Sequence, residues 1–178
     1  GIITGGGGLG VIAADYCTEI GLDVVQLSSK TLDELEKLLP DWWVPGNPVD
    51  LVAGLDFTIL KPVIEILMKS GDVDAVMFLW IGAPRDYNKA EVIVGEHSID
   101  ISKVWDIMDQ HFQGFMAELY DLMWELRVPL YISTSIQPGE GEENGENQGG
   151  ERPLNFPSVE SACRAIRAMA DHYSFRQL

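Results

Sequence analysis

GIITGGGGLGVIAAD, residues 1–15, sets a short apolar run against a glycine cluster and then a helix-forming stretch. Gly1–Thr4 reads as a strand. Leu9, Ile12, Ala13, Tyr16 and Ile20 recur at the spacing of one buried helix face, so the helix is expected over Leu9–Ile20. Gly21 follows as the residue beyond the helix end, where a left-handed backbone is favoured. A strand that runs through glycines into a helix has two readings. One is a tight turn that lets helix and strand pack closely, for which one or two glycines suffice. The other is an anion cradle. The first N–H groups of a helix lack intrahelical acceptors, carry partial positive charge, and lie open to a phosphate when no side chains intervene. Five of the six residues 5–10 are glycine, more than a turn requires. The cradle is therefore expected from Gly5, Gly6, Gly7, Gly8 and Gly10.

Outward from this stretch, the alternation of strand and helix repeats. Asp23–Leu27 reads as a second strand. Thr31 and Glu34 have capping-box spacing for a helix over Leu32–Leu39, which Pro40 stops. An amphipathic helix near Phe57–Met68 precedes a strand at Ala75–Leu79. A long helix from about Ile101 to Leu126 precedes a strand at Pro129–Ser133. Ser158 caps a closing helix with Val159, Ala162, Ile166 and Met169 at its apolar positions. Residues 81–100 carry no readable pattern. Residues 137–150, QPGEGEENGENQGG, are glutamate- and glycine-rich and read as a flexible acidic loop. Parallel strands need crossover connections, so the expected fold is α/β: a three-layer, doubly wound parallel sheet, flavodoxin-like. The length suits a single domain over residues 1–178. Its start inside the first strand suggests a fragment of a larger protein.

Charge and composition narrow the function. The formal charge is −16, from 12 basic and 28 acidic side chains, which argues against nucleic acid and anionic membrane surfaces as partners. An anionic ligand must then be held by backbone N–H groups and helix ends. No apolar run approaches the roughly 18 residues of a membrane span, and no signal peptide is evident, so a cytoplasmic protein is expected. Cys17 and Cys163 lie in helical patterns without CxxC or Cys/His metal spacing, and read as core positions. No metal site is expected.

Gly5, Gly7 and Gly10 satisfy the dinucleotide pattern GxGxxG, which is weak within a glycine run. Ser28, Ser29 and Lys30 follow the expected second strand where an NAD site would place Asp or Glu, which leaves NADP open as an alternative. A P-loop is excluded, because no Gly-Lys-Ser/Thr follows. His111 and His172 read as helix-surface residues. His97, beside Glu96 and Asp100, is the one histidine with acidic neighbours in sequence, yet no catalytic residue is assigned in this chain. Trp42 and Trp43 suit either a pocket wall or packing. Trp105, Met108, Phe112, Phe115 and Trp124 cannot all lie on one face of the long helix, so some are expected to meet a neighbouring domain or a second copy.

Thr4–Asp15, Leu27–Thr31, Gly46–Leu51 and Asp72–Val76 together resemble the C-terminal flavodoxin-like domain of the NDP-forming acyl-CoA synthetases. This is the acetate–CoA ligase (ADP-forming) group related to succinyl-CoA synthetase. Its pattern is T-N-G-G-G-x-G-V-x-A-A-D, then L-S-x-x-T, then G-N-P-V-D-L, and the likeness covers about the first 80 residues. The resemblance implies the reaction acyl-CoA + NDP + phosphate ⇌ acid + CoA + NTP, through a phosphohistidine on another domain. It implies that the helix starting at Gly8 aims its N-terminus at that group, with Asn47 and Asp50 on a nearby loop. It further implies CoA-binding, histidine-bearing and ATP-grasp domains as partners, with CoA and ADP or GDP with magnesium in the assembled enzyme. The chain alone would hold no cofactor and be inactive. Gly5 replaces the family's Asn and Leu9 a common Pro, residues 81–128 are longer than usual, and 137–150 stands where a helix is expected. Those departures leave room for a non-catalytic interaction module of the same fold.

Overall fold

The computed structural model describes residues 1–51, 57–80, 91–94, 97–100, 102–134 and 155–176. Its elements are β1 (Ile2–Thr4), α1 (Gly7–Glu19), α2 (Ser29–Glu36), β2 (Val49–Asp50), α3 (Phe57–Lys69), β3 (Val76–Trp80), β4 (Glu91–Val94), β5 (His97–Asp100), α4 (Ser102–Leu126), β6 (Leu130–Thr134), β7 (Asn155–Phe156) and α5 (Val159–Arg176). Five strands form one sheet in the order β2-β1-β3-β6-β7, every neighbouring pair parallel. The expected doubly wound α/β architecture is present.

Period-two alternation divides the core. Ile2, Met77 and Leu79 face Ala13 and Cys17 of α1 and Ala162 and Cys163 of α5. Ile3, Val76, Phe78, Leu130 and Ile132 face the opposite way, against Leu35 of α2, Ile64 and Leu67 of α3 and Leu119 of α4. Helices therefore cover both faces of an apolar sheet, as parallel strands require. Trp43 is buried in the second cluster, whereas Trp42 is exposed, so packing and not a shared wall accounts for Trp43. On α4, Phe115, Leu119 and Leu122 are buried and Trp124 is exposed, so Phe115 and Trp124 take different faces; the side chains of Trp105, Met108 and Phe112 lie outside the described residues.

Several expectations need correction. Asp23–Leu27 is not a strand. Val24 packs with the α1–α5 cluster and Leu27 is buried in the other, so this stretch passes from one face to the other beneath the sheet. The place beside β1 belongs to β2, within the GNPVDL motif, with Thr4 in register with Asp50. Asn47 explains the arrangement: its Oδ1 accepts from the Ile2 N–H at 2.9 Å and its Nδ2 donates to the Val25 carbonyl at 2.9 Å. One side-chain amide thus stands in for the missing strand ladder. The cap of α2 is Ser28, whose Oγ accepts from the Thr31 N–H at 3.3 Å, because Thr31 is itself buried inside the first turn. Within residues 81–100, β4 and β5 pair antiparallel. The Ser158 cap and the left-handed Gly21 (φ 78°) stand as expected. Residues 137–150 lie outside the described residues.

Candidate functional site: the glycine end of the first helix

The helix α1 begins at Gly7, one residue earlier than the resemblance implies, with Gly6 as its extended N-cap and no side-chain cap. The turn before it is closed by its own groups. Thr4 is fully buried; its Oγ1 donates to the Gly6 carbonyl at 2.8 Å and accepts from the Gly6 N–H at 3.1 Å. The Gly5 N–H donates to the Leu79 carbonyl at 3.5 Å, and the Leu9 and Gly10 N–H groups return to the Gly6 carbonyl. Gly7 and Gly8 remain as the first-turn donors with no intrahelical acceptor.

The glycines therefore do different things. A Cβ on Gly10 would stand 2.9 Å from Thr4 Cγ2 and 3.1 Å from Pro48 Cβ, so Gly10 lets α1 press onto β1 and β2. It is a packing glycine, with its N–H turned to the Gly6 carbonyl. A Cβ on Gly7 would stand 2.7 Å from Asp50 Oδ2. At Gly8 a Cβ would meet nothing within 4 Å. The fold has no steric need of glycine there. Of the five candidates, Gly7 and Gly8 are exposed in the first turn of α1, Gly7 beside Asp50, and Gly5 and Gly6 shape the turn.

Asp50 and Asn47, expected together on one loop, separate. Both belong to the β2 region, but Asp50 ends the strand beside Gly7, while Asn47 sits at the amino end of β1 beside Ile2. Asp50 places a carboxylate at the positive end of α1, where the helix dipole favours it. The same carboxylate opposes any second anion that brings no donor of its own.

The Ser28-Ser29-Lys30 run does not approach the glycines. Asp72 Oδ2 accepts from the Ser28 N–H at 2.9 Å and from the Thr31 hydroxyl at 2.6 Å. Asp72 precedes β3 by a few residues, so this network lies at the amino ends of the strands, the opposite end from Gly7. The Thr31 hydroxyl, then the Ser28 N–H, hold the Asp72 carboxyl below the usual range. The NADP alternative fails on this geometry, because its two halves lie at opposite ends of the sheet. The motifs LSSKT and DVDAV are thus joined through Asp72, and the paired hydroxyls with a carboxylate are the signal of that link in the sequence.

Of the histidines, His172 is exposed on α5 as expected. His97 opens β5 and pairs in register with Val94; its side chain and that of His111 lie outside the described residues. Among the described residues, no group of three His, Cys, Asp or Glu could hold a metal, and no helix is long and apolar enough to cross a membrane.

Residues 1–84 match the family model of the Ligase-CoA domain. Over those residues the chain is similar to a Ligase-CoA domain. It is 32% identical over 100 residues to acetate–CoA ligase [ADP-forming] I of Archaeoglobus fulgidus, covering 55% of this chain and 15% of that protein. It is 31% identical over 80 residues to the alpha subunit of acetate–CoA ligase [ADP-forming] II of Pyrococcus furiosus, covering 45% of this chain and 18% of that subunit. The chain thus spans less than a fifth of the length of these curated relatives. The Ca. Korarchaeum cryptofilum dinucleotide forming acetyl-coenzyme A synthetase 1, solved with phosphate and ADP, superposes with a TM-score of 0.63 at 20% identity. That match covers 99% of this chain and 34% of the synthetase chain, and extends the common fold past the family match.

Proposed function

We propose that this chain is a Ligase-CoA domain working within an NDP-forming acyl-CoA synthetase, where the amino end of α1 steadies a phosphohistidine. The reaction is acyl-CoA + NDP + phosphate ⇌ acid + CoA + NTP. The observation that carries the reading is the uncapped Gly7–Gly8 turn, open at Gly8, at the carboxyl end of a parallel sheet. Backbone N–H groups can hold a transferring phosphoryl group without supplying a nucleophile that would compete for it. Asp50 sharpens the choice of ligand. A pyrophosphate brings only negative charge to a site that already has a carboxylate. A phosphohistidine brings a phosphoryl group for the N–H donors and an imidazole N–H that a carboxylate can accept.

The histidine, CoA and nucleotide parts belong to other domains or subunits, as the alpha-subunit name of the Pyrococcus relative supports. CoA and ADP or GDP are substrates of that assembly, and magnesium would accompany the nucleotide there. In this reading residues 1–178 form one domain, supported by the near-complete structural overlap.

The test is Gly8→Asp in the assembled ligase. A carboxylate added beside the N–H donors should cut phosphoryl transfer by about a hundredfold, the usual effect of losing one such donor. Circular dichroism and Tm of the isolated chain should hold, since the position is open. Transfer at the wild-type rate would reduce the glycine run to a turn. Calorimetric titration of the chain with NADPH should give no heat.

A further inference from the structure

The face of α1 that packs on α5 carries a feature the ligase reading does not use. Cys17 Sγ and Cys163 Sγ lie 3.5 Å apart, both buried. Ala13 on α1 and Ala162 on α5, each fully buried, let the two helices come close. Contacts on either side hold their register. Arg164 Nε donates to the Tyr16 hydroxyl at 2.9 Å, and Arg167 Nη1 donates to the Gly21 carbonyl at 2.8 Å, capping the carboxyl end of α1. The thiols thus face each other across an interface fixed within one turn on both sides.

We propose that Cys17 and Cys163 are a dithiol that closes to an intramolecular disulfide when a small peroxide reaches it, locking α1 to α5. The Cys163 S–H holds the Cys17 thiol below its usual range, and the same contact with burial pushes Cys163 up. Cys17, 4% exposed against 0% for Cys163, is the sulfur placed to meet the peroxide first, in keeping with that direction. Its thiolate attacks a peroxide oxygen; the S–O bond forms, the O–O bond breaks, and the departing hydroxide takes a proton as water. Cys163 sulfur then attacks Cys17 sulfur; the S–S bond forms, the S–O bond breaks, and hydroxide leaves with the Cys163 proton as a second water. Two thiols and one hydrogen peroxide give one disulfide and two waters, with two electrons passing from sulfur to oxygen.

The experiment exposes the reduced, folded chain to hydrogen peroxide, then denatures it in N-ethylmaleimide for intact-mass and peptide analysis. The expected product is two hydrogens lighter, carries no maleimide, yields a linked Cys17–Cys163 peptide, and regains two maleimides after dithiothreitol. Its Tm should rise by about 5–10 °C, since the link closes a long loop of the unfolded chain. The urea-unfolded chain under the same oxidant should give at least about tenfold less of this link, because loop closure is then unaided. Two maleimides on the treated folded chain, a link between chains, sulfinic acid without a link, a lowered Tm, or equal yields folded and unfolded would each overturn the proposal. In Cys163→Ala the peroxide product should stop at a Cys17 sulfenic acid trapped by dimedone. Should that variant not fold, the wild-type link still decides.

Discussion

The two ends of this sheet are built on opposite terms. At the amino ends of the strands, polar groups answer one another. Asn47 joins the Ile2 N–H to the Val25 carbonyl, and Asp72 takes both the Ser28 N–H and the Thr31 hydroxyl. At the carboxyl ends, the turn through Gly5 and Gly6 is closed, but the helix it feeds starts without a side-chain cap. The same contrast runs along α1 itself. Its carboxyl end receives Arg167, while its amino end keeps the Gly7 and Gly8 donors. A structural end satisfies its donors internally; in the proposed reading the amino end of α1 leaves them for a ligand.

Substitutions can break this contrast or sharpen it. The largest expected effect on stability is Gly10→Val, which forces a side chain against Thr4 and Pro48 and should cost about 3 kcal/mol. Urea melts with unchanged slope would measure it; a loss under 1 kcal/mol would mean that α1 can shift off the sheet freely. Asn47→Ala should come next, at about 2 kcal/mol, because two backbone groups lose their shared partner. If Asn47→Ala leaves the melt unmoved, water or a local strand pairing replaces the amide, and the closed end is less closed than described.

Asp72→Asn should cost less, about 1 kcal/mol at neutral pH, since the carboxylate is half-buried and partly screened. Its pH dependence has a definite sign. The folded carboxyl titrates below its unfolded value near 3.9, so its contribution is present above about pH 4 and is lost as pH falls through the folded value. Melting at stepped pH should show the wild type converging on Asp72→Asn between about pH 4 and pH 2. A gap that persists at pH 2 would assign the effect to shape and not to charge. The smallest effect is Gly8→Ala. With nothing near the added methyl, the better helix former should leave stability equal or up to about 0.5 kcal/mol higher. A clear loss there would mean that Gly8 is required by the fold, and the two ends of α1 would no longer differ as argued.

Much of the architecture was legible. Gly21, Ser158 and the apolar runs of β1, β3 and β6 each carry a local signal that the structure obeys, whereas Ile12 on α1 and Met169 on α5, read as buried-face positions, are exposed. Local reading failed at Asp23–Leu27. DVVQL has strand composition, yet Asn47, twenty-two residues from Val25, supplies the hydrogen bonds a strand there would have made. Thr31 has capping-box spacing from Glu34, but its hydroxyl is committed to Asp72, forty-one residues away. Each error is a place where a distant polar side chain outbid a local preference.

The site divides in the same way. The sequence by itself determined that a glycine cluster joins a strand to a helix, and which family its first half resembles, because both depend on residues adjacent in the chain. Only the tertiary structure decided which glycines matter for what. Gly10 is set by Thr4 and Pro48, Gly7 by Asp50, and Gly8 by empty space. It also decided that Cys17 and Cys163, one hundred and forty-six residues apart, are neighbours. The reason is physical: a glycine's role and a thiol's reactivity are fixed by what stands within a few ångströms. Packing two helices on one face of a sheet brings such groups together regardless of their distance along the chain.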